Sequence, residues 1–412
     1  YPVALTLGGL SITYAFFFLD PSAFGALPPR IMGVISNYVL LSVPLFVFMG
    51  IMLEKSGLAE SLLETVAILF GKMHGGLAFA VILVGTLLAA STGIVGATVV
   101  TMGLISLPTM LKRGYKPEIA TGVIAASGTL GQIIPPSVVL VLLGSVLNVS
   151  VGKLFASSLI PGLLVAIYIL YIFIVSRIKP EWMPPIPKEE IDKFRANNFY
   201  GKVWRAFALP LILIISVLGS IFLGIASPTE AAAVGAMGAT ILTLFEKKLS
   251  FSILKSVCIE TTHLTSMIFL ILLGATTFSF VFRELGGDIF LVRLIQEANM
   301  TPLAFLFLVM LIVFIAGFFI DFIEIIFIIV PVIAPVFQKM GVDLIWIGVL
   351  LGLNLQTSFL TPPFGFSLFY LKGVAPPSVT TAQIYRGIIP FILFQIIVLG
   401  IYIFMPSLLI IP

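Results

Sequence analysis

The 412-residue sequence predicts an all-α polytopic membrane protein, built as an inverted repeat with two re-entrant hairpins and two broken helices. Composition sets the class. The chain is 60% hydrophobic and only 10% charged, with mean hydropathy +1.21, whereas soluble domains carry about 25% charged residues. Two proline-pair interruptions inside long apolar runs point to the broken helices, and the count of crossings between them points to the inversion.

The first interruption is Ser127-Gly-Thr-Leu-Gly-Gln-Ile-Ile-Pro-Pro-Ser137, inside the apolar run 117–147. Adjacent prolines remove two amide donors and clash with the preceding turn, so the helix breaks there. Backbone freed at membrane depth persists only where it is buried in protein or lines a watery cavity. A second interruption, Asn354-Leu-Gln-Thr-Ser-Phe-Leu-Thr-Pro-Pro-Phe-Gly365, breaks the run 343–371. At a constant offset of 227 residues Pro135 and Pro136 fall on Pro362 and Pro363, Pro108 on Pro335, Gly114 on Gly341 and Ser127 on Asn354. Paired interrupted segments at matching places in two halves mark a transporter's binding site.

In chain order, 3–19 is a span ended at Asp20-Pro21, with Tyr1 expected at or inside it and no cleavable signal-peptide pattern. Residues 31–53 form a second span. Residues 54–73 set Leu58, Leu62, Leu63 and Val66 on one face with Glu60 and Glu64 interspersed, an amphipathic arm lying in the interface. The run 76–111 exceeds the ~20 residues one span needs, and Ser91-Thr-Gly-Ile-Val-Gly-Ala-Thr98 sits at its middle. Two half-length helices meeting at that tip, hairpin 1, fit it better than one kinked helix.

After the first broken span come an interfacial piece at 149–155, a span at 158–176 and a polar loop at 177–205. Spans follow at 206–225 and 228–245, the latter opened by Ser227-Pro-Thr-Glu230, a capping box. A span at 257–282 and a second arm at 288–299 lead to hairpin 2, 301–337, interrupted at Gly317-Phe-Phe-Ile-Asp-Phe-Ile-Glu324. The second broken span, a short piece at 379–385 and a last span at 388–405 complete the chain. The divisions are scaffold spans and arm (1–75), the first half of a transport unit (76–148), a span and loop (149–205), scaffold spans and second arm (206–300), the second half of the transport unit (301–372) and a final span (373–412).

Each half contributes four crossings, and the span 206–225 adds a fifth, so the second half is upside down relative to the first. Seventeen lysines and arginines fall on one side, against five (Arg30, Lys153, Arg283, Arg293, Lys339) on the other. The richer side is therefore cytoplasmic.

Composition and motifs exclude several functions. No GxxxxGK[ST] loop offers an ATPase site, so pumping energy must come from an ion gradient or a partner chain. No HExxH spacing occurs, and Glu260 with His263 lacks further metal ligands. The single cysteine, Cys258, excludes an internal disulfide. A pI near 9.1 reflects loop cations rather than a nucleic-acid surface.

Half-helix N-termini at the tips suit a carboxylate, while freed carbonyls and the hydroxyls of Ser91, Thr92, Ser127, Thr129, Thr357, Ser358 and Thr361 suit a hard monovalent cation. Asp321 and Glu324 are acids deep in hairpin 2, and intramembrane carboxylates default to functional hypotheses. Asp321 is the chosen cation ligand. Glu324 admits a proton-coupled role or one half of a structural pair.

These stretches resemble the large membrane subunit of tripartite ATP-independent periplasmic (TRAP) transporters. The matching segments are Ser42-Val-Pro-Leu-Phe46, Gly128–Ser137, Pro228-Thr-Glu-Ala-Ala-Ala-Val234, Gly317-Phe-Phe-Ile-Asp321, and Leu353-Asn354 through Leu360-Thr-Pro-Pro-Phe-Gly365. The resemblance implies an elevator-type carrier in a bacterial inner membrane, coupled to Na+. It implies two partners: a four-helix small membrane subunit and a periplasmic substrate-binding protein that delivers a small organic acid, carboxylate or keto acid. On this reading sodium is held at Ser91, Gly93, Ser127, Gly131, Gly317, Asp321, Asn354 and Thr361. Substrate meets Thr92, Thr129, Pro135, Pro136, Gln356, Thr357, Ser358, Pro362 and Pro363. The hairpin 1 tip lacks the acid that many relatives carry, so sodium there relies on carbonyls and hydroxyls. A stand-alone or proton-coupled carboxylate carrier is the alternative, with an intramembrane enzyme or channel a distant third.

Overall fold

The computed structural model describes residues 3–196, 201 and 203–408, and the side chains of Ser91, Thr92 and Ala206 lie outside the described set, as do Tyr1 and Lys202. All regular structure among the described residues is helical. Six helices are long and apolar enough to cross a membrane, and a bent pair in hairpin 2 makes a seventh candidate.

The first helix, Val3–Phe18, lies along the long helix Phe251–Glu284. Gly274 permits that approach, since a Cβ there would sit 2.2 Å from the Ala4 carbonyl oxygen. The expected span 31–53 is instead two pieces, Leu27–Ile35 and the crossing segment Tyr38–Lys55. Asn37 explains the break. Its Oδ1 accepts from Val39 N at 3.0 Å, ending one helix and capping the next turn.

Pro228–Phe245 packs on Ser42–Lys55, with Gly235 facing Met49 Sδ. Its capping box is formed: Glu230 N donates to Ser227 Oγ at 3.3 Å, and Ser227 N donates to Glu230 Oε2 at 2.7 Å. The two arms are Leu58–Phe70 and Gly287–Glu297.

Hairpin 1 is two packed helices, Gly76–Thr92 and Val95–Lys112. Gly93 turns the chain with φ +64° and donates its N–H to Ala89 O at 2.8 Å. The arms hold 17 and 18 residues, the two halves of the apolar run; at 1.5 Å per residue each is about 26 Å long. Hairpin 2 has a straight first arm, Pro302–Ala316, and a second arm bent by 48° between Phe322–Ile328 and Val330–Lys339. Pro331, at the start of the second piece, withholds an amide from the ladder at that bend.

Both broken helices form as the proline pairs predict. The first is Pro117–Thr129, a 3-10 turn Leu130–Gln132, then Val138–Leu147. The second is Leu344–Leu360, then Phe366–Val374. Two separate interfacial pieces were expected ahead of the final spans, but both merge with their spans: Val151–Ile178 is one 28-residue candidate span and Thr381–Phe404 one 24-residue helix. Pro161 lies near the end of Val151–Gly162, where a turn at Leu163 separates it from Leu164–Ile178, whereas Pro390 lies inside the continuous helix Thr381–Phe404.

These last helices lock the halves together. Gly122 of broken helix 1 and Gly387 of the final helix cross backbone to backbone, where added Cβ atoms would sit 2.3 Å from Gly387 O and 2.1 Å from Glu118 O. Tyr402 Oη donates to Ser157 O at 2.9 Å, and Gln395 Nε2 donates to Tyr168 Oη at 2.8 Å, both buried.

Charge contacts respect the two predicted sides. Lys55 pairs with Glu260 (3.0 Å), Arg113 with Glu190 (2.5 Å), and Lys248 Nζ donates to Gly57 O. On the other side Arg30 pairs with Glu284, and Arg283 donates to Pro331 O of hairpin 2. The first part of the polar loop, residues 182–186, is docked rather than free: Met183 O accepts from Gly75 N, Trp182 O from Lys116 N, and Ile186 N donates to Gly71 O, at the base of hairpin 1.

Replacing Gly122 or Gly387 with valine is expected to destabilise the fold by about 1–3 kcal/mol or more, because backbone cannot yield at either crossing. Thermal unfolding of the detergent-purified variants checks this, with Gly373→Val, whose Cβ position is open, as the tolerated control.

Candidate functional site

Each hairpin crosses its own broken helix, and the two crossings match. In the first half Gly85 meets Ser127 and Ala89 meets Gly131; built Cβ atoms on the glycines would lie 2.3 Å from Ser127 Oγ and 2.1 Å from Ala89 O. In the second half Asn354 Nδ2 donates to Met310 O at 2.8 Å, and Ser358 Oγ donates to Phe314 O at 2.7 Å. The hairpin members of these pairs are offset by 225 residues and the broken-helix members by 227. The first half makes its crossing with small side chains, the second with donors aimed at carbonyls.

The residues read from sequence fall into three settings. Asn354, Ser358, Gly131 and Gly317 hold the crossings, with Gly317 against Ser358 Oγ. Ser127 and Thr129 are fully buried, but their hydroxyls donate to carbonyls of their own helix, Ile124 O at 3.1 Å and Ala126 O at 2.9 Å. Thr357 and Thr361 likewise bond back to Leu353 O and Thr357 O, each at 2.8 Å. Gln356 is fully buried, with its amide beside the Tyr168 hydroxyl. Gly93 abuts Val138, the first residue after the break. Both proline pairs sit in the breaks with cis bonds, and Tyr385 Oη donates to Pro363 O at 2.7 Å. Ser91 and Thr92 belong to the tip of hairpin 1, their side chains outside the described set.

Asp321 and Glu324 form a capping box on Phe322–Ile328. Phe322 N donates to Asp321 Oδ1 at 2.8 Å, and Asp321 N donates to Glu324 Oε2 at 3.3 Å. Glu324 therefore has the structural half of its two readings realised. Asp321 also lines a cavity of about 300 Å³.

That cavity lies between the two tips. Its wall is residues 94–97 and Val100 of hairpin 1, Asp321 and Phe322 of hairpin 2, Phe359, Phe366 and Tyr370 of broken helix 2, and Glu260 and Leu264 of the long helix. Tyr370 packs over Gly96, where a Cβ would lie 2.7 Å from its ring. Of the site residues named from the sequence, Asp321 alone reaches this wall among the described side chains. The aromatic lining was missed because isolated phenylalanines in an apolar run look like any lipid-facing or core residue. The one legible signal was Gly96, a second glycine in the tip, which marks close approach of another element.

A broken-helix, two-hairpin membrane fold around a half-open cavity between the hairpin tips defines a transport permease. Residues 1–408 match the family model described as the tripartite ATP-independent periplasmic transporter, DctM component, and the chain belongs to that family. It is 30% identical over 401 residues to the C4-dicarboxylate TRAP transporter large permease protein DctM of Pseudomonas aeruginosa, covering 97% of this chain and 92% of that one. It is 30% identical to the sialic acid TRAP transporter large permease protein SiaM of Vibrio cholerae, covering 98% and 93%. Among solved structures, the YdaH transporter of Alcanivorax borkumensis shares the fold with TM-score 0.69 at 13% identity, covering 98% of this chain and 97% of that one. The chain is a multi-pass membrane permease component, not an enzyme.

Asn354→Ala and Ser358→Ala each strip the donor from a buried hairpin 2 carbonyl and are expected to cost about 1–3 kcal/mol of stability. Thr357→Ala removes only a bond within its own helix and should cost less. Unfolding midpoints of the three variants, compared side by side, test the assignment.

Proposed function

We propose that this chain is the large membrane subunit of a tripartite system that takes up a small organic acid, driven by an inward sodium gradient. A periplasmic binding protein hands the acid over, a four-helix small membrane subunit supports the scaffold, and the assembly sits in a bacterial inner membrane. The observation that carries this reading is the cavity in which both hairpin tips, broken helix 2 and the Asp321 carboxylate meet.

The chemistry follows from what each part can do. An acid at the tips meets half-helix N-termini, whose free amides and positive dipole end favour a carboxylate. Ser137 N-caps Val138–Leu147 immediately after the first break, and Val138 packs against Gly93 at the tip of hairpin 1; the helix starts that reach the cavity wall are those at Val95, Phe322 and Phe366. A sodium ion beside Asp321 offsets its charge, and carbonyls freed at the breaks supply further oxygen ligands. Because Glu324 is engaged as the capping partner of Asp321, sodium is favoured over a proton as the coupling ion.

Movement follows from the packing. Hairpins and broken helices cross through rigid, interlocked pairs, so they shift as one body against Tyr38–Lys55 and Phe251–Glu284, an elevator with the halves inverted about the membrane plane. Relatives are named for C4-dicarboxylates, sialic acid, isethionate and ectoine, a spread that leaves the substrate to the cavity of each.

Uptake into proteoliposomes, with and without the small subunit and binding protein, tests this reading. Transport is expected only with both partners and a sodium gradient. Asp321→Asn keeps the helix cap while removing the charge, so its thermal stability should hold while half-saturating sodium rises about tenfold, equivalent to about 1.4 kcal/mol. Uptake indifferent to sodium but driven by a proton gradient would overturn the coupling; uptake by this chain alone would overturn the tripartite assignment.

A further inference from the structure

We infer that the substrate carries a single carboxylate on an apolar body, and that this chain discriminates against dicarboxylates. The inference rests on the proposed function, since it concerns the same cavity. Its first support is the distribution of cations. No lysine or arginine occurs in 73–111, 117–152, 294–338 or 340–371, which together contain both hairpin tips and both helix breaks; Lys112, Lys339 and Lys372 lie only at the far ends of these elements. Whatever carboxylate enters must be held by backbone amides and hydroxyls alone.

The two charged residues that line the cavity are acidic. Asp321 and Glu260 line it. Glu54, which accepts a hydrogen bond from Thr101 of hairpin 1, sits beside Lys55. The Lys55 ammonium lies 3.0 Å from Glu260 Oε2 and is thereby spent. A sodium ion at Asp321 offsets one acid. One substrate carboxylate then meets the amide N-termini, but a second would find no free cation on the wall to pair with.

The second support is the remaining surface. Phe359 lies 5.3 Å from Phe366 and 6.4 Å from Phe322, and Phe366 lies 6.3 Å from Tyr370, centroid to centroid. These four rings line one continuous side of the cavity. Such a wall takes up alkyl or aromatic area and offers one hydroxyl, that of Tyr370, for a polar substituent. Its volume of about 300 Å³ accepts a small acid with a short branched or aromatic tail.

Competition binding tests this without the binding protein, whose own selectivity would mask that of the permease. The purified chain with its small subunit, in sodium-containing detergent, would be titrated with phenylacetate and isovalerate against succinate and fumarate. The monocarboxylates are expected to bind at least tenfold more tightly, a difference of about 1.4 kcal/mol. Succinate binding as tightly as phenylacetate, or more so, would overturn the inference while leaving the carboxylate carrier intact. Binding of neither kind by folded protein would overturn the proposed function and this inference with it. Glu260→Gln removes one charge and releases Lys55, so it should move the ratio toward succinate several-fold; an unchanged ratio in a folded variant would count against the electrostatic argument.

Discussion

The whole architecture depends on one constraint: backbone amides and carbonyls freed inside a bilayer must find partners within the protein. Two proline pairs break two helices at membrane depth, and the fold is arranged around the groups those breaks release. Ser137 accepts from Leu140 N and donates to Gln132 O, closing the first break from both ends. Asp321 and Glu324 cap the start of the second arm of hairpin 2. The hairpins also pack against the helices they serve, which excludes lipid from the irregular backbone. The two hairpin tips and broken helix 2 meet at one cavity, where we propose that an ion and an acid bind.

The two halves meet this constraint by different means. At equivalent crossings the first half brings backbones together through Gly85 and Gly131, while the second sends Asn354 and Ser358 side chains to hairpin carbonyls. Close glycine packing gains dispersion and tolerates no added methyl group. Donors aimed at carbonyls gain a hydrogen bond in a medium where an unmade one is costly. A repeated architecture therefore does not require repeated side chains, only that each crossing be tight and satisfied.

Much of the arrangement was legible in the sequence. The proline pairs, the constant offset, the Ser227–Glu230 box and the amphipathic arm at Leu58–Phe70 depend on local rules of backbone and periodicity, and local rules are readable one segment at a time. Legibility failed where distant segments meet. The break at Asn37 was hidden in a uniformly apolar run, and the two expected interfacial pieces merged into long final spans. Asp321 was legible because a buried acid is conspicuous; Tyr370 and Phe366 were not, since in a chain with 36 phenylalanines only the fold distinguishes a cavity wall from a lipid face.

One dimension of the scaffold carries a consequence of its own. Helix Phe251–Glu284 has 34 residues, about 51 Å at 1.5 Å per residue, against a hydrocarbon core near 30 Å. A rod of that length tilts or projects into water, and its tilt is set by its neighbours and by the lipid around it. Glu260, on the cavity wall, rides on this rod. Any change in the lean of this rod would carry Glu260 with it, so the position of a carboxylate at the cavity is tied to the length of a scaffold helix rather than to the hairpins alone.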